Sequence, residues 1–324
     1  MIDKRWLCMG IVSALAALPV LAQESYPNRS IALIVNVAPG TGADIVARLI
    51  APRLGDRLKQ TVVVENKVGA SGVIGTEFVT KSAPNGYTLM LMVNSHTMVP
   101  WLYKNLPYDP VADLAPIAKI ASTSLVLVAN PQSTPGKDFA ELFAYARANP
   151  GRLSYASPGN GTAPHLMMEM FKQRTGVDIL HVPHKDSASA TANVVGGHVN
   201  MLLAIIPAAL PSARAGKLKM FALTGPVRSP LAPDVPTYRE FGHNFMDYSD
   251  GWYALAAPAK TPADIIARLN QEVRNVMAQQ DLIEQLGKQG IVPAASAPEE
   301  IVAQIKSDLQ QWGKVVAGAK ITAD

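Results

Sequence analysis

The residues of this chain best suited to hold an anion form the stretch Val37-Ala-Pro-Gly-Thr-Gly-Ala-Asp-Ile-Val-Ala-Arg48, directly after the apolar run Ile31–Val35. Gly40 and Gly42 have no Cβ, so backbone N–H groups there can face outward beside Pro39. Thr41 is placed to cap the helix that follows, with Asp44 closing a capping-box pair from three residues on. A helix amino terminus combines unpaired N–H groups with the positive end of the helix dipole, which together favour a bound anion. Spacing excludes the nucleotide versions of such a turn: Gly40-Thr-Gly42 is followed by Ala43-Asp44-Ile45, without the third glycine of G-x-G-x-x-G, and G-x-x-x-x-G-K-[ST] is absent. A carboxylate satisfies the turn as well as a phosphate. Asp44 opposes a multiply charged anion unless capping consumes it, or it could meet a ligand ammonium.

A second stretch of the same character is Ser157-Pro-Gly-Asn-Gly-Thr162, with Ser157, Asn160, Gly161 and Thr162 as donors. Thr162 is the expected cap of a helix that tolerates Pro164 in its first turn. Gly69-Ala-Ser-Gly72, Asn94-Ser95 and His184-Lys-Asp-Ser187 sit at further junctions between apolar runs and helical patterns. Covalent chemistry is harder to find, since neither G-x-S-x-G nor H-E-x-x-H occurs. His181 and His184 are separated by Pro183 and lack a third and fourth metal ligand, so one core and one loop histidine are expected and no metal. His165, at a helix start beside the second loop, either touches a ligand or stands at the surface or one layer behind the ligand contacts. No cofactor is expected.

Alternating elements must carry these loops. Ile31–Val35, Thr61–Glu65 and Tyr87–Val93 read as strands, with helices at Ile45–Leu58 and Ser71–Ser82 between them, the order of a parallel doubly wound domain. The plan repeats with strands at Leu125–Ala129, Leu153–Ser157, Ile179–Val182, Met201–Ile206 and Leu218–Leu223. Helices at Phe139–Ala148, Pro164–Arg174 and Ala188–Val195 come between. Trp252–Ala256 then reads as a strand returning to the first lobe, ahead of three closing helices. The expected class is therefore α/β, with one lobe from 26–122 plus 250–324 and a second from 123–249, joined side by side as in a hinge. In such lobes the strand-to-helix junctions gather beyond the carboxyl ends of the strands, so two facing lobes line one cleft with donors.

The chain of 324 residues is long enough for two cores. Lys4 and Arg5, the apolar run from Leu7 to Leu18 and the small residues around Ala22 predict an export signal over 1–22, with release into the periplasm. The single cysteine, Cys8, lies inside it and lacks the small residue that a lipid-anchor site wants just before it. The excess of 29 basic over 25 acidic side chains is thinly spread, which argues against nucleic acid and is compatible with an anionic small molecule. A monomer is expected.

The chain resembles the Bug (TctC-type) family, the periplasmic solute-binding proteins of tripartite tricarboxylate transporters. Besides residues 37–48, the likeness rests on Val64-Glu-Asn-Lys-Val-Gly-Ala-Ser-Gly-Val-Ile-Gly75, Ala83-Pro-Asn-Gly-Tyr87, Tyr155-Ala-Ser-Pro-Gly-Asn-Gly-Thr-Ala-Pro-His165, His181-Val-Pro183 and Ser229-Pro-Leu-Ala-Pro-Asp-Val-Pro-Thr237. The resemblance implies a type II periplasmic binding protein fold whose lobes close on a small carboxylate. By position it implicates Pro39 to Gly42, Ser71, Ser95, Ser157 and Asn160 to Thr162. It also implies membrane transporter subunits as partners. Departures bear on the ligand: His184 and Asp186 replace the usual tyrosine and glycine, and Ala204-Ile205 a usual polar pair. A less acidic, more apolar cleft floor favours an aromatic or partly apolar carboxylate over an amino acid. The competing expectations are a carboxylate sensor for a two-component system, and a secreted hydrolase or lyase using His165 or His184 as base.

Overall fold

A computed structural model describes residues 26–249, 251–319 and 321, so the expected export segment and Cys8 lie outside the described residues. The first sheet is built from β1 (Ile31–Val35), β2 (Val62–Asn66), β3 (Thr88–Val93), β4 (Leu114–Thr123), β10 (Gly251–Pro258) and β11 (Ile291–Pro293), in the order β11-β4-β10-β3-β1-β2. The second contains β5 (Leu125–Ala129), β6 (Leu153–Ser157), β7 (Ile179–Pro183), β8 (Met201–Ile205) and β9 (Lys219–Leu223), in the order β7-β6-β8-β5-β9. Around them lie α1 (Gly42–Leu58), α2 (Val73–Thr80), α3 (Val99–Leu102), α4 (Phe139–Ala148), α5 (Ala163–Thr175), α6 (Ser187–Val195), α7 (Ile206–Arg214), α8 (Ala263–Met277), α9 (Gln280–Lys288) and α10 (Pro298–Ala319).

Neither sheet is wholly parallel. β1 runs parallel to β2 and β3, while β10 is antiparallel to β3 and β4. β6 runs parallel to β7 and β8, while β5 is antiparallel to β8 and β9. Only Ser124 separates β4 from β5, so the chain passes from one sheet into the other almost without a break. It returns along β10, whose Gly251 pairs with Thr123 at the end of β4. The two crossings thus lie side by side.

Each sheet is covered on both faces, as parallel strands require. Ile50, Leu54, Leu269, Val273 and Leu286 of α1, α8 and α9 close one face of the first sheet. Val79 of α2 and Ile301 and Ile305 of α10 close the other, around the fully buried Trp252. In the second lobe α4 and α5 pack with Phe139, Leu142 and Phe171 on one face, and α6 and α7 with Val194 and Ile206 on the other. Helix α10 serves both lobes. Beyond Ile305 its Trp312, Val315 and Val316 enter the second lobe's core, and the Gln173 amide of α5 donates to the Val315 carbonyl at 2.9 Å.

Candidate functional site

The carboxyl ends of β1 and β6 each deliver the chain into a glycine turn and a helix start, and the two turns have the same construction. Gly40 and Gly161 both adopt positive φ, +78° and +70°, a conformation that costs glycine nothing. The next residues, Thr41 and Thr162, are extended at φ/ψ of −74°/163° and −70°/156°. Each threonine hydroxyl donates at 2.8 Å to the carbonyl three residues back, Ala38 in one loop and Gly159 in the other. Each threonine carbonyl then accepts the first helical bond, from Ile45 and from Leu166, at 3.0 Å.

The side chain on the third residue after the threonine reaches back in both loops. The Gly40 N–H donates to Asp44 Oδ2 at 2.9 Å, and the Gly161 N–H donates to His165 Nδ1 at 3.0 Å. These contacts correct two expectations. Neither threonine caps its helix with its side chain, because the hydroxyl is spent on the carbonyl that shapes the turn. The Gly40 N–H does not face outward, because Asp44 takes it. The amides that follow, Gly42 and Ala43 in one helix and Ala163 in the other, belong to the set that an α-helix start leaves without a carbonyl partner.

Behind the first loop, buried Asp44 also accepts from Arg48 Nε at 3.0 and 3.1 Å and from Asn66 Nδ2 at 3.0 Å. Burial opposes the charge, but Arg48, the Gly40 N–H and Asn66 outweigh it and hold the carboxyl below the usual range. Asp44 is therefore occupied in fixing the loop. Behind the second, the buried His165 ring stacks on His181 with centroids 3.8 Å apart, and His181 stacks in turn on Tyr155 at 4.8 Å. The Ser157 hydroxyl, fully buried, lies 2.6 Å from His181 Nε2 and donates to the Gly159 carbonyl. Burial and the neighbouring His165 push His181 down to about 4. Tyr155 and Lys172 both donate to Glu169 Oε1 at 2.7 Å, completing the cluster.

Between the lobes lies a cavity of about 510 Å³. Asn160 to Ala163 line it from the second lobe. From the first come Asn36, Val37, Ala38, the turn Val68–Gly72, Ser95, Met98, Val99 and Leu102. None of the lining residues is charged. Of the residues singled out in the sequence, Ser71, Ser95, Asn160, Gly161 and Thr162 line the cavity. Pro39, Gly40, Thr41 and Gly42 flank it without lining it, and Asp44, Ser157 and His165 support the loops from behind. His184 does not line the cavity, and its Nδ1 lies 2.9 Å from the Val182 carbonyl. Ala204 pairs with Val126 within β8 and does not reach the cavity, so the apolar character expected from it comes instead from Met98, Val99 and Leu102. A more open depression of about 540 Å³ beside Pro52, Lys59 and Gln60 lies at the other end of α1, away from these turns.

Sequence reading missed Asn36 and Tyr253. Asn36 is buried and donates its amide to Thr76 Oγ1 at 3.3 Å, while its Oδ1 has no partner among the described residues. A polar residue directly after the apolar run Ile31–Val35 was the signal that could have found it. Tyr253 stands on the returning strand β10 with its hydroxyl against Gly42, where a Cβ would overlap it. Burial pushes that phenol up to about 12. No group of three or more side chains suited to a metal occurs among the described residues.

Residues 46–321 match the family model described as the tripartite tricarboxylate transporter family receptor, TctC. The chain belongs to the TctC family. Among curated proteins the receptor is 36% identical over 315 residues to BugT of Bordetella pertussis, covering 96% of each chain. Among solved structures it is similar to a Rhodopseudomonas palustris protein solved with adipate, at 31% identity and a TM-score of 0.77, covering 92% of this chain and 99% of that one. It is likewise similar to MatC from the same organism, with bound malate, at 30% identity and a TM-score of 0.73, covering 90% and 100%. The receptor is thus a two-lobed solute-binding protein and not an enzyme, which sets aside the hydrolase and lyase expectation for His165 and His184.

Proposed function

We propose that the receptor captures a small, partly apolar carboxylate between its lobes in the periplasm. It then delivers the ligand, as a monomer, to membrane subunits of a tripartite tricarboxylate-type transporter. The observation that carries this reading is the pair of like-built helix starts, one per lobe, beside a single cavity without a charged side chain. Oriented N–H groups and two helix dipoles suit a carboxylate without a cationic side chain. The Ala163 amide and the Ser71, Ser95 and Asn160 side chains, which line the cavity, are the proposed direct donors, and the amides at 42 and 43, which flank it, reach the ligand through water. Asn36 Oδ1 offers an acceptor for one ligand or water donor, since a buried polar atom left unpaired costs about 1–3 kcal/mol. The adipate and malate of the two solved relatives support the ligand class.

The apolar wall of Val37, Val68, Met98, Val99 and Leu102 favours the longer of these two acids. Each buried methylene contributes about 0.8 kcal/mol, so two to three more of them correspond to roughly thirtyfold in affinity. Isothermal calorimetry at neutral pH is expected to show adipate binding at least tenfold more tightly than malate, with neither consumed. Equal or reversed affinities would remove the apolar wall from the reading; no heat from any carboxylate in a broad panel would remove the carboxylate itself. The proposed division into lobes at 26–122 plus 250–324 and 123–249 puts a hinge at the paired crossings, so X-ray scattering should show a smaller radius of gyration with ligand than without.

A further inference from the structure

The likeness of the two turns exposes one difference in chemistry. In the first lobe the acceptor that holds the glycine N–H is a carboxylate paired with Arg48, which stays an acceptor at any moderate pH. In the second lobe the same position is taken by an imidazole nitrogen, His165 Nδ1. An imidazole nitrogen accepts only while it carries no proton. The neutral ring must therefore be the tautomer with its hydrogen on Nε2.

We propose that His165 is a positioning residue whose neutral form holds the second-lobe turn in its binding geometry, so that protonating it loosens the receptor's grip on an anion. The inference rests on the binding reading above and adds a pH dependence to it. On protonation Nδ1 becomes a donor facing the Gly161 N–H, and the turn loses the contact that fixes Gly161 at positive φ over Leu102 of the opposite lobe. Two effects then compete. An imidazolium adds a positive charge behind the turn, which attracts an anion. It also disorients the amides beside Thr162 that would touch that anion. Direct hydrogen bonds act at 3 Å and depend on aim, whereas the charge of a buried ring acts through the turn, so loss of aim decides the sign.

His165 stands among several rings and charged groups. From β6 it meets the Tyr155 ring, and from β7 the His181 ring, which the Ser157 hydroxyl also contacts, with His184 beyond it. Along its own helix lie Glu169, paired with Tyr155 and Lys172, and then Lys172 itself. β8 and α10 contribute Met201, Leu203, Trp312 and Val315 to that core. Two stacked imidazoles 3.8 Å apart do not both carry charge. Burial and the neighbouring His165 hold His181 down, so the pair carries at most one added proton.

The test compares wild type with His165→Asn, whose amide oxygen falls where Nδ1 stands but does not titrate, and with His165→Leu, which has no acceptor. Without any ligand, ¹⁵N NMR at pH 7.5 should show the Nε2–H tautomer for His165. Amide exchange of Gly161, corrected for the intrinsic rate, should be at least tenfold slower at pH 7.5 than at pH 5.5. It should be slow at both pH values in H165N and fast at both in H165L. With adipate as the probe, wild type should lose at least fivefold more affinity than H165N over the same span, the variant carrying the acid's own titration. An Nδ1–H tautomer, Gly161 exchange independent of pH in wild type, or affinity that rises on acidification relative to H165N would each overturn the proposal. If H165L fails to fold, the tautomer and the wild-type comparison with H165N still decide it. Adipate that fails to bind at any pH counts against the carboxylate reading, and the exchange data then decide the role of His165 alone.

Discussion

Gly42 and Tyr253 are 211 positions apart in the chain, yet each restricts what the other can be. Gly42 opens α1, where alanine would ordinarily be the better helix former by about 1 kcal/mol. Here the Cβ of alanine would overlap the Tyr253 hydroxyl, while the ring carbon bearing that hydroxyl stands at a tolerable 3.4 Å. Gly42→Ala should therefore destabilise the wild type and weaken carboxylate binding about tenfold, and in a Tyr253→Phe background the same change should be neutral or stabilising. A double-mutant cycle by thermal melting and calorimetry checks this; equal penalties in the two backgrounds would dismiss the contact. At this scale the sequence was partly legible. Glycine before threonine before a helix announces a turn into a helix start, but the partner of a threonine hydroxyl depends on one χ1 rotation. Both hydroxyls turned back to a carbonyl rather than forward to the helix amides. Asp44 and His165 look unrelated in a sequence, and only the shared geometry reveals them as the same part.

Among elements, the strands and helices that alternate cleanly were legible to within a residue or two, as in Phe139–Ala148 and Leu153–Ser157. β4 was not, although it is the longest strand described. Pro116 interrupts it, and a proline without an N–H argues against a central strand. The structure accommodates Pro116 at a register shift between Leu255 and Ala256 of β10, where an irregularity relieves the missing donor. Helix α10 was read as a closing helix, but its anchorage was invisible: Trp252 of β10 donates to Asp308 Oδ2 at 2.8 Å, both side chains buried. Asp308→Leu leaves the indole N–H unpaired at a cost of about 1–3 kcal/mol. Thermal melting should show a drop of roughly 2–6 °C, with Asp308→Asn, which keeps an acceptor, losing less. An unchanged melting point in D308L would mean that the indole has another partner.

Across the whole molecule, repetition in the sequence announced two lobes, and the return of the chain at Trp252 announced that the first is built from both ends. The antiparallel strands that join the lobes carry no signature of direction in their residues, so the mixed sheets emerged only from pairing. Nor did any pattern say that α10, which begins beneath the first sheet with Ile301 and Ile305, ends in the second lobe's core with Trp312 and Val315. That straddling helix has a thermodynamic consequence. Two lobes tied only by strands can melt one after the other, each giving its own heat-absorption peak. Here the loss of either core strips one half of α10 of its cover and uncovers apolar surface on the survivor, so the lobes should unfold as one cooperative unit. Differential scanning calorimetry should accordingly record a single peak whose calorimetric and van't Hoff enthalpies agree. Trimming the chain before Trp312 should split that peak in two, with the second lobe melting first.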